Sequence, residues 1–209
     1  MSGAVPDLHP IIQWGWAGSA LESASGDLHV VTPFVGGTLV ALVDGLGHGA
    51  EAAEAAAATV PLLEAHAGEQ LPRLLQRCHE GLRKTRGAVM SLACFDSQDS
   101  SMTWAGVGNV AAVLLRVNRL LANGNEASEA LVSRGGVVGY RLPPLQAKAL
   151  QVAPGDTLVM ATDGIRWGFT AGLEMACAPQ EIAEAILAGF ATGADDAHVV
   201  VARYVGSPA

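Results

Sequence analysis

Gly37-Thr38-Leu39-Val40-Ala41-Leu42-Val43-Asp44-Gly45-Leu46-Gly47-His48-Gly49-Ala50-Glu51-Ala52-Ala53 is the stretch on which the fold turns. Gly37 to Val43 is an apolar, β-branched run of strand length. Ala50 to Ala67 is rich in Ala, Glu and Leu, the strongest helix formers, and predicts a helix. Between them lie an aspartate, three glycines and a histidine. Upstream, Ile11 to Trp16 and Asp27 to Phe34 predict two further strands, with Pro33 and Gly36-Gly37 supplying the turn into the third. Downstream, Glu69 to Arg86 predicts a second helix, with Leu71, Leu74, Leu75, Cys78 and Leu82 at helical spacing and Pro72 in its first turn. Three strands followed by two consecutive helices argue against a βαβ repeat.

Beyond the helices, Ala88 to Phe95, Ser101 to Gly106 and Val110 to Val117 predict strands, followed by a turn at Asn123-Gly124-Asn125. Residues 134 to 144 hold three glycines and two prolines and predict a surface loop. Leu150 to Ala153 and Leu158 to Ala161 predict a hairpin about Pro154-Gly155-Asp156. Gln180 to Ala191 predicts a helix and Val199 to Val205 a closing strand. Two antiparallel sheets flanked by helices, an αββα sandwich of the α+β class, is the economical packing. No internal repeat or linker divides the chain, so residues 1–209 are expected to form one domain behind a loose lead-in over 1–10.

At 209 residues, with 50% hydrophobic and 15% charged, the chain can bury a core and is not a disordered segment. A net charge of −8 disfavours non-specific binding to nucleic acid or to anionic membranes. The three cysteines, Cys78, Cys94 and Cys177, are odd in number and far apart, so neither a disulfide framework nor a zinc site is expected. No secretory signal and no run of about 18 apolar residues is visible, and a cytoplasmic location is expected.

Five aspartates share a pattern. Asp27 opens a predicted strand, Asp44 and Asp163 end strands and precede glycines, and Asp195-Asp196 precede the last strand. Carboxylates at strand ends can converge on one rim, where they repel unless cations sit between them. Oxygen-only donors suit hard cations, Mg²⁺ or Mn²⁺. A pair of such ions ~3.5–4 Å apart activates water and neutralises a phosphoryl group. Metal-assisted hydrolysis of a phosphate ester is the implied chemistry. A single Asp-Gly is ordinarily a turn, as at Asp156, and the reading rests on the combination. The helix start after Gly49 adds a positive dipole near an anion. The cysteines lack the basic neighbourhood that a thiolate phosphatase needs.

Ser25-Gly26-Asp27, Asp44 to Gly49, Pro154 to Gly164 and Asp195-Asp196-Ala197-His198-Val199-Val200-Val201, in this order, resemble the motifs of the metal-dependent serine/threonine protein phosphatase (PPM) family, and its SpoIIE-type branch most. The resemblance covers residues 25 to 201. It implies the αββα sandwich and a centre of two divalent cations, Mn²⁺ or Mg²⁺. Asp44 would bridge the ions, the Gly45 carbonyl would ligate one, Asp163 and Asp195 the other, and Asp27 would join the cluster. Asp44 and Asp163 thereby become catalytic candidates. His48 is a candidate acid for the leaving oxygen, or a residue that fixes its loop. The implied partners are phosphorylated STAS-domain proteins of a stressosome, with a negative-feedback role in stress signalling. An anti-anti-sigma factor as substrate and a weakly catalytic binding module are the alternatives, and a monomer is expected. The chain departs from the family pattern in three places. Asn109 stands where some members carry a third-metal aspartate, no arginine precedes Arg73, and His198 stands where Thr or Ser is common.

Overall fold

A computed structural model describes residues 10–120 and 126–206. Most of the 1–10 lead-in and the whole Asn123-Gly124-Asn125 turn lie outside the described residues. The elements, in chain order, are β1 (Ile12–Ser19), β2 (Asp27–Phe34), β3 (Gly37–Gly45), α1 (Ala50–Ala57), α2 (Val60–Ala65), α3 (Leu71–Gly81), β4 (Ala88–Asp96), β5 (Ser101–Val107), β6 (Ala111–Leu120), β7 (Glu126–Leu131), β8 (Lys148–Gln151), β9 (Thr157–Ala161), α4 (Pro179–Phe190) and β10 (Ala197–Tyr204). The strands form two antiparallel five-stranded sheets, ordered β1-β10-β9-β6-β7 and β2-β3-β4-β5-β8. This is the expected αββα sandwich.

Packing explains the unbroken apolar run in β3. It is an interior strand with both faces covered. Val40 and Leu42 enter the core between the sheets, while Leu39, Ala41 and Val43 pack with Leu63, Leu71, Leu74 and Leu75 of α2 and α3. β9 alternates in the same way. Leu158 and Met160 face the central core, and Val159 and Ala161 pack against Ile182, Ala183 and Ile186 of α4.

Two expectations are corrected. The helix expected over Ala50 to Ala67 is broken at Ala58-Thr59, because Pro61 in the first turn of α2 has no N–H to give and its ring crowds the preceding turn. Leu150 to Ala161 is not a hairpin: β8 pairs with β5 in one sheet and β9 with β10 and β6 in the other. The Pro154-Gly155-Asp156 bend carries the chain between layers, and turn residues specify a bend without specifying the sheet that follows. β7 adds an edge strand beside β6; its Ala and Glu residues favour helix, and sheet pairing overrides them.

Candidate active site

Asp27 opens β2 and Asp44 nearly closes β3, and the register of that hairpin makes the two residues direct partners. Facing carboxylates on neighbouring strands repel. After Asp44 the chain cannot spread. The Gly45 N–H is held by the Gly26 carbonyl at 3.0 Å and the Leu46 N–H by the Gly87 carbonyl at 3.0 Å. A side chain on Gly45 would run into the Ala52 carbonyl of α1, so glycine here lets the helix press against the strand end.

The other sheet brings its carboxylates to the same end. Asp163 follows β9 and Asp195-Asp196 precede β10, which is β9's neighbour. Gly164 lies against the Asp196 backbone so closely that any side chain would collide with it. Asp196 is buried and takes the Leu21 and Gly26 N–H groups, each at 2.7 Å, stapling one sheet's loop to the other's Ser25-Gly26-Asp27. Thr162 continues the link: its hydroxyl donates to Asp27 Oδ2 at 2.7 Å and accepts the His198 N–H at 2.9 Å. Asn109 donates to Asp163 Oδ2 at 2.8 Å.

The electrostatics show what this gathering costs. Burial first, and then the charges of Asp196, Asp163 and Asp195, push Asp27 up to about 7 against the lowering effect of the Thr162 hydrogen bond. Burial, followed by Asp27, Asp163, Asp195 and Asp196, pushes Asp44 up to about 8. Folding therefore brings Asp27, Asp44, Asp163 and Asp195 into one electrostatic unit, with Gly45 beside Asp44. Asp163 and Asp195 are exposed at its mouth. Among the described residues, no group of three or more His, Cys, Asp or Glu side chains is arranged to hold a metal ion by itself. The donor set nonetheless fits hard divalent cations, since it is oxygen-only and its crowded negative charge needs a counter-charge.

The remaining candidates fall around this unit. His48 is exposed and its Nδ1 meets Glu22 Oε1 at 2.6 Å, which ties the glycine loop to the segment before β2. His198 and His29 lie together, with Nε2 of the first 2.9 Å from Nδ1 of the second. Burial pushes the Cys78 thiol up to about 12, and burial followed by Asp96 pushes Cys94 up to about 11, so neither is a thiolate at neutral pH. Sequence reasoning missed Thr162 as the support of Asp27, Asp196 as a staple, and Arg86, which pairs with Glu51 beside Gly47. Thr162 stands immediately before Asp163 at a strand end, and that position was the available signal.

Residues 35–205 match the family described as stage II sporulation protein E (SpoIIE). Over 76 residues the chain is 34% identical to phosphoserine phosphatase RsbX of Bacillus subtilis (strain 168), a match spanning 36% of this chain and 38% of RsbX. A chain from a study of the bacterial stressosome, as a modular system adapted to control secondary messenger signalling, superposes with a TM-score of 0.80 at 29% identity, covering 92% of this chain and 99% of that one. RsbX in complex with magnesium superposes with a TM-score of 0.78 at 22% identity, covering 92% of this chain and 94% of that one. Among the described residues, no helix is long and apolar enough to cross a membrane.

Proposed function

The chain belongs to the SpoIIE family, and on that footing we propose that it is a metal-dependent protein serine/threonine phosphatase that hydrolyses phosphoserine or phosphothreonine on regulatory proteins. One observation carries the reading above all: two facing aspartates, Asp27 and Asp44, hold their protons to about 7 and about 8, chiefly through burial and then through the neighbouring carboxylates, among them Asp163, Asp195 and Asp196 from the other sheet.

Asp27, Asp44, the Gly45 carbonyl, Asp163 and Asp195 would hold two divalent cations, Mn²⁺ or Mg²⁺. Such a pair supplies Lewis-acid polarisation of the phosphoryl group and lowers the pKa of nearby water. The chain's own contribution is positioning. Thr162 commits one oxygen of Asp27, and Asn109 commits one oxygen of Asp163. The leaving serine oxygen needs a proton, and His48 is the candidate to give it from Nε2, because Nδ1 is engaged by Glu22. The substrates proposed are phosphorylated STAS-domain proteins of a stressosome, acted on to dampen stress signalling. The likeness to RsbX and to the stressosome-study chain supports that choice.

The test is phosphate release from phosphorylated STAS-domain proteins, with Mn²⁺ and with EDTA. Release that survives EDTA overturns the metal-dependent reading. Release from an anti-anti-sigma factor alone moves the enzyme to that pathway. In the same assay, His48→Gln should slow phosphoserine turnover by roughly 10²-fold and slow an aryl phosphate, whose leaving group needs no proton, far less. Equal slowing removes His48 from the acid's place.

A further inference from the structure

β1 and β2 are edge strands of different sheets, and they meet on one side of the sandwich. Along β1, Ile12 enters the core between the sheets, while a side chain on Gly15 would meet the backbone of α4 at Gln180. Trp14 and Trp16 share Ile12's face and lie beyond that core, 44% and 43% exposed. The Trp16 ring stacks on His198 at 5.1 Å and 3° and leans on His29 at 4.9 Å. A side chain on Gly18 would come within 2.8 Å of His198 Nδ1, so the glycine makes room for the imidazole, which is buried against Trp16. The result is a groove of about 360 Å³ with Trp16, Gly18, Ser25, Asp27, His29 and His198 in its walls.

Two features say what enters it. Asp27 belongs both to this groove and to the carboxylate cluster, so the groove runs on from the reacting end. His29 is two residues along β2 from Asp27, about 7 Å at strand rise, the reach of one or two residues of an extended chain. The groove is small, near the lower limit for ligand pockets, and admits a side chain rather than a folded partner. Strand addition is blocked at its centre. Gln180 accepts the Trp16 N–H at 3.1 Å and donates to the Trp16 carbonyl at 2.9 Å, occupying that part of the β1 edge.

We propose that the Trp16–His198 shelf seats an aliphatic side chain flanking the phosphorylated residue of the protein substrate, and so sets sequence preference. This rests on the phosphatase reading. The experiment uses Mn²⁺-loaded enzyme on phosphoserine peptides that differ only by Leu or Ala at each position within three residues of the phosphoserine, with p-nitrophenyl phosphate as a substrate lacking flanking chain. At one position Leu should raise kcat/KM by about tenfold over Ala, the discrimination that one buried aliphatic side chain gives. In Trp16→Ala that ratio should fall to within about twofold of unity, with Trp16→Phe keeping most of it because a ring still faces His198. Turnover of peptides and aryl phosphate with no flanking preference in the wild type overturns the shelf alone. So does a preference that survives Trp16→Ala. No turnover of any of these substrates overturns the phosphatase reading and the shelf with it. If Trp16→Ala fails to fold, Trp16→Leu, which keeps an apolar side chain but no ring, takes its place in the same comparison.

Discussion

β9 has an aspartate just outside each end, and the two sit in opposite surroundings. Asp156, before the strand, is buried and surrounded by donors: the Ala153 N–H at 3.1 Å, the Val117 N–H at 3.0 Å and Arg116 Nη1 at 3.0 Å. Asp163, after the strand, has the Asn109 amide at 2.8 Å and otherwise adds charge to Asp27 and Asp44. At one end a carboxylate completes its environment and stabilises the fold. At the other, carboxylates are each other's environment, and the fold holds them together against repulsion. A site is recognisable here by what its residues lack.

The sharpest break of this contrast is a pair of variants. Asp44→Asn should lower Mn²⁺-dependent phosphatase activity by roughly 10³-fold, several kcal/mol of transition-state stabilisation. The same change should leave the melting temperature at pH 8 unchanged or raised, since a repelling charge is gone. Asp156→Ala should do the reverse. Removing one partner of a buried ion pair costs about 3–5 kcal/mol, which in a chain of this length lowers the melting temperature by roughly 10 °C. Activity per folded molecule should stay near wild type. Steady-state kinetics and thermal melts on both proteins check this. A destabilised Asp44→Asn or an unaffected Asp156→Ala would erase the distinction between the two ends.

The same contrast explains how much was legible in the sequence. The strand-loop-helix passage around Asp44 could be read because β3 is buried on both faces and α1 is built of helix formers, so local and tertiary preferences agree. The break at Ala58-Thr59 was also available, in Pro61. The fate of β8 and β9 was not: Pro154-Gly155-Asp156 signals a bend, while the change of sheet depends on Asp156 bonding to Val117 of β6, far away in sequence. Asp27, Asp44, Asp163 and Asp195 were legible as acids at strand ends. Asp196 beside Asp195 was not separable from it, because only the fold shows that Asp196 faces inward to the Leu21 and Gly26 N–H groups. The Trp16–His29–His198 stack was invisible for the same reason, its members coming from three strands.

A smaller effect sharpens the contrast through pH. In the folded, ion-free protein Asp27 and Asp44 keep their protons to about 7 and about 8, against 3.8 for an ordinary aspartate. Between those values the folded state binds more protons than the unfolded chain. The cluster's contribution is therefore favourable at low pH and lost as pH climbs through 7 and 8. In EDTA the melting temperature of the wild type should fall from pH 6 to pH 9 more than that of Asp44→Asn, and Mn²⁺ should remove most of the difference. Parallel curves in EDTA would mean that the carboxylates do not repel as described.

The smallest change tests the link between the sheets. Thr162→Val keeps the shape of the side chain but removes the hydroxyl that donates to Asp27 Oδ2 and accepts the His198 N–H. Groups that orient metal ligands typically contribute 10–100-fold in affinity, and this one supports a single carboxylate, so about tenfold weaker Mn²⁺ binding is expected by calorimetry. Losing the hydrogen bond also removes the one influence that lowers the Asp27 pKa, so Mn²⁺ binding by the variant should need a higher pH. Thr162→Ser, which keeps the hydroxyl, should restore both. If Ser and Val weaken binding equally, the methyl group's packing is what matters at this position, and the hydroxyl bridge is not what couples the sheets at the site.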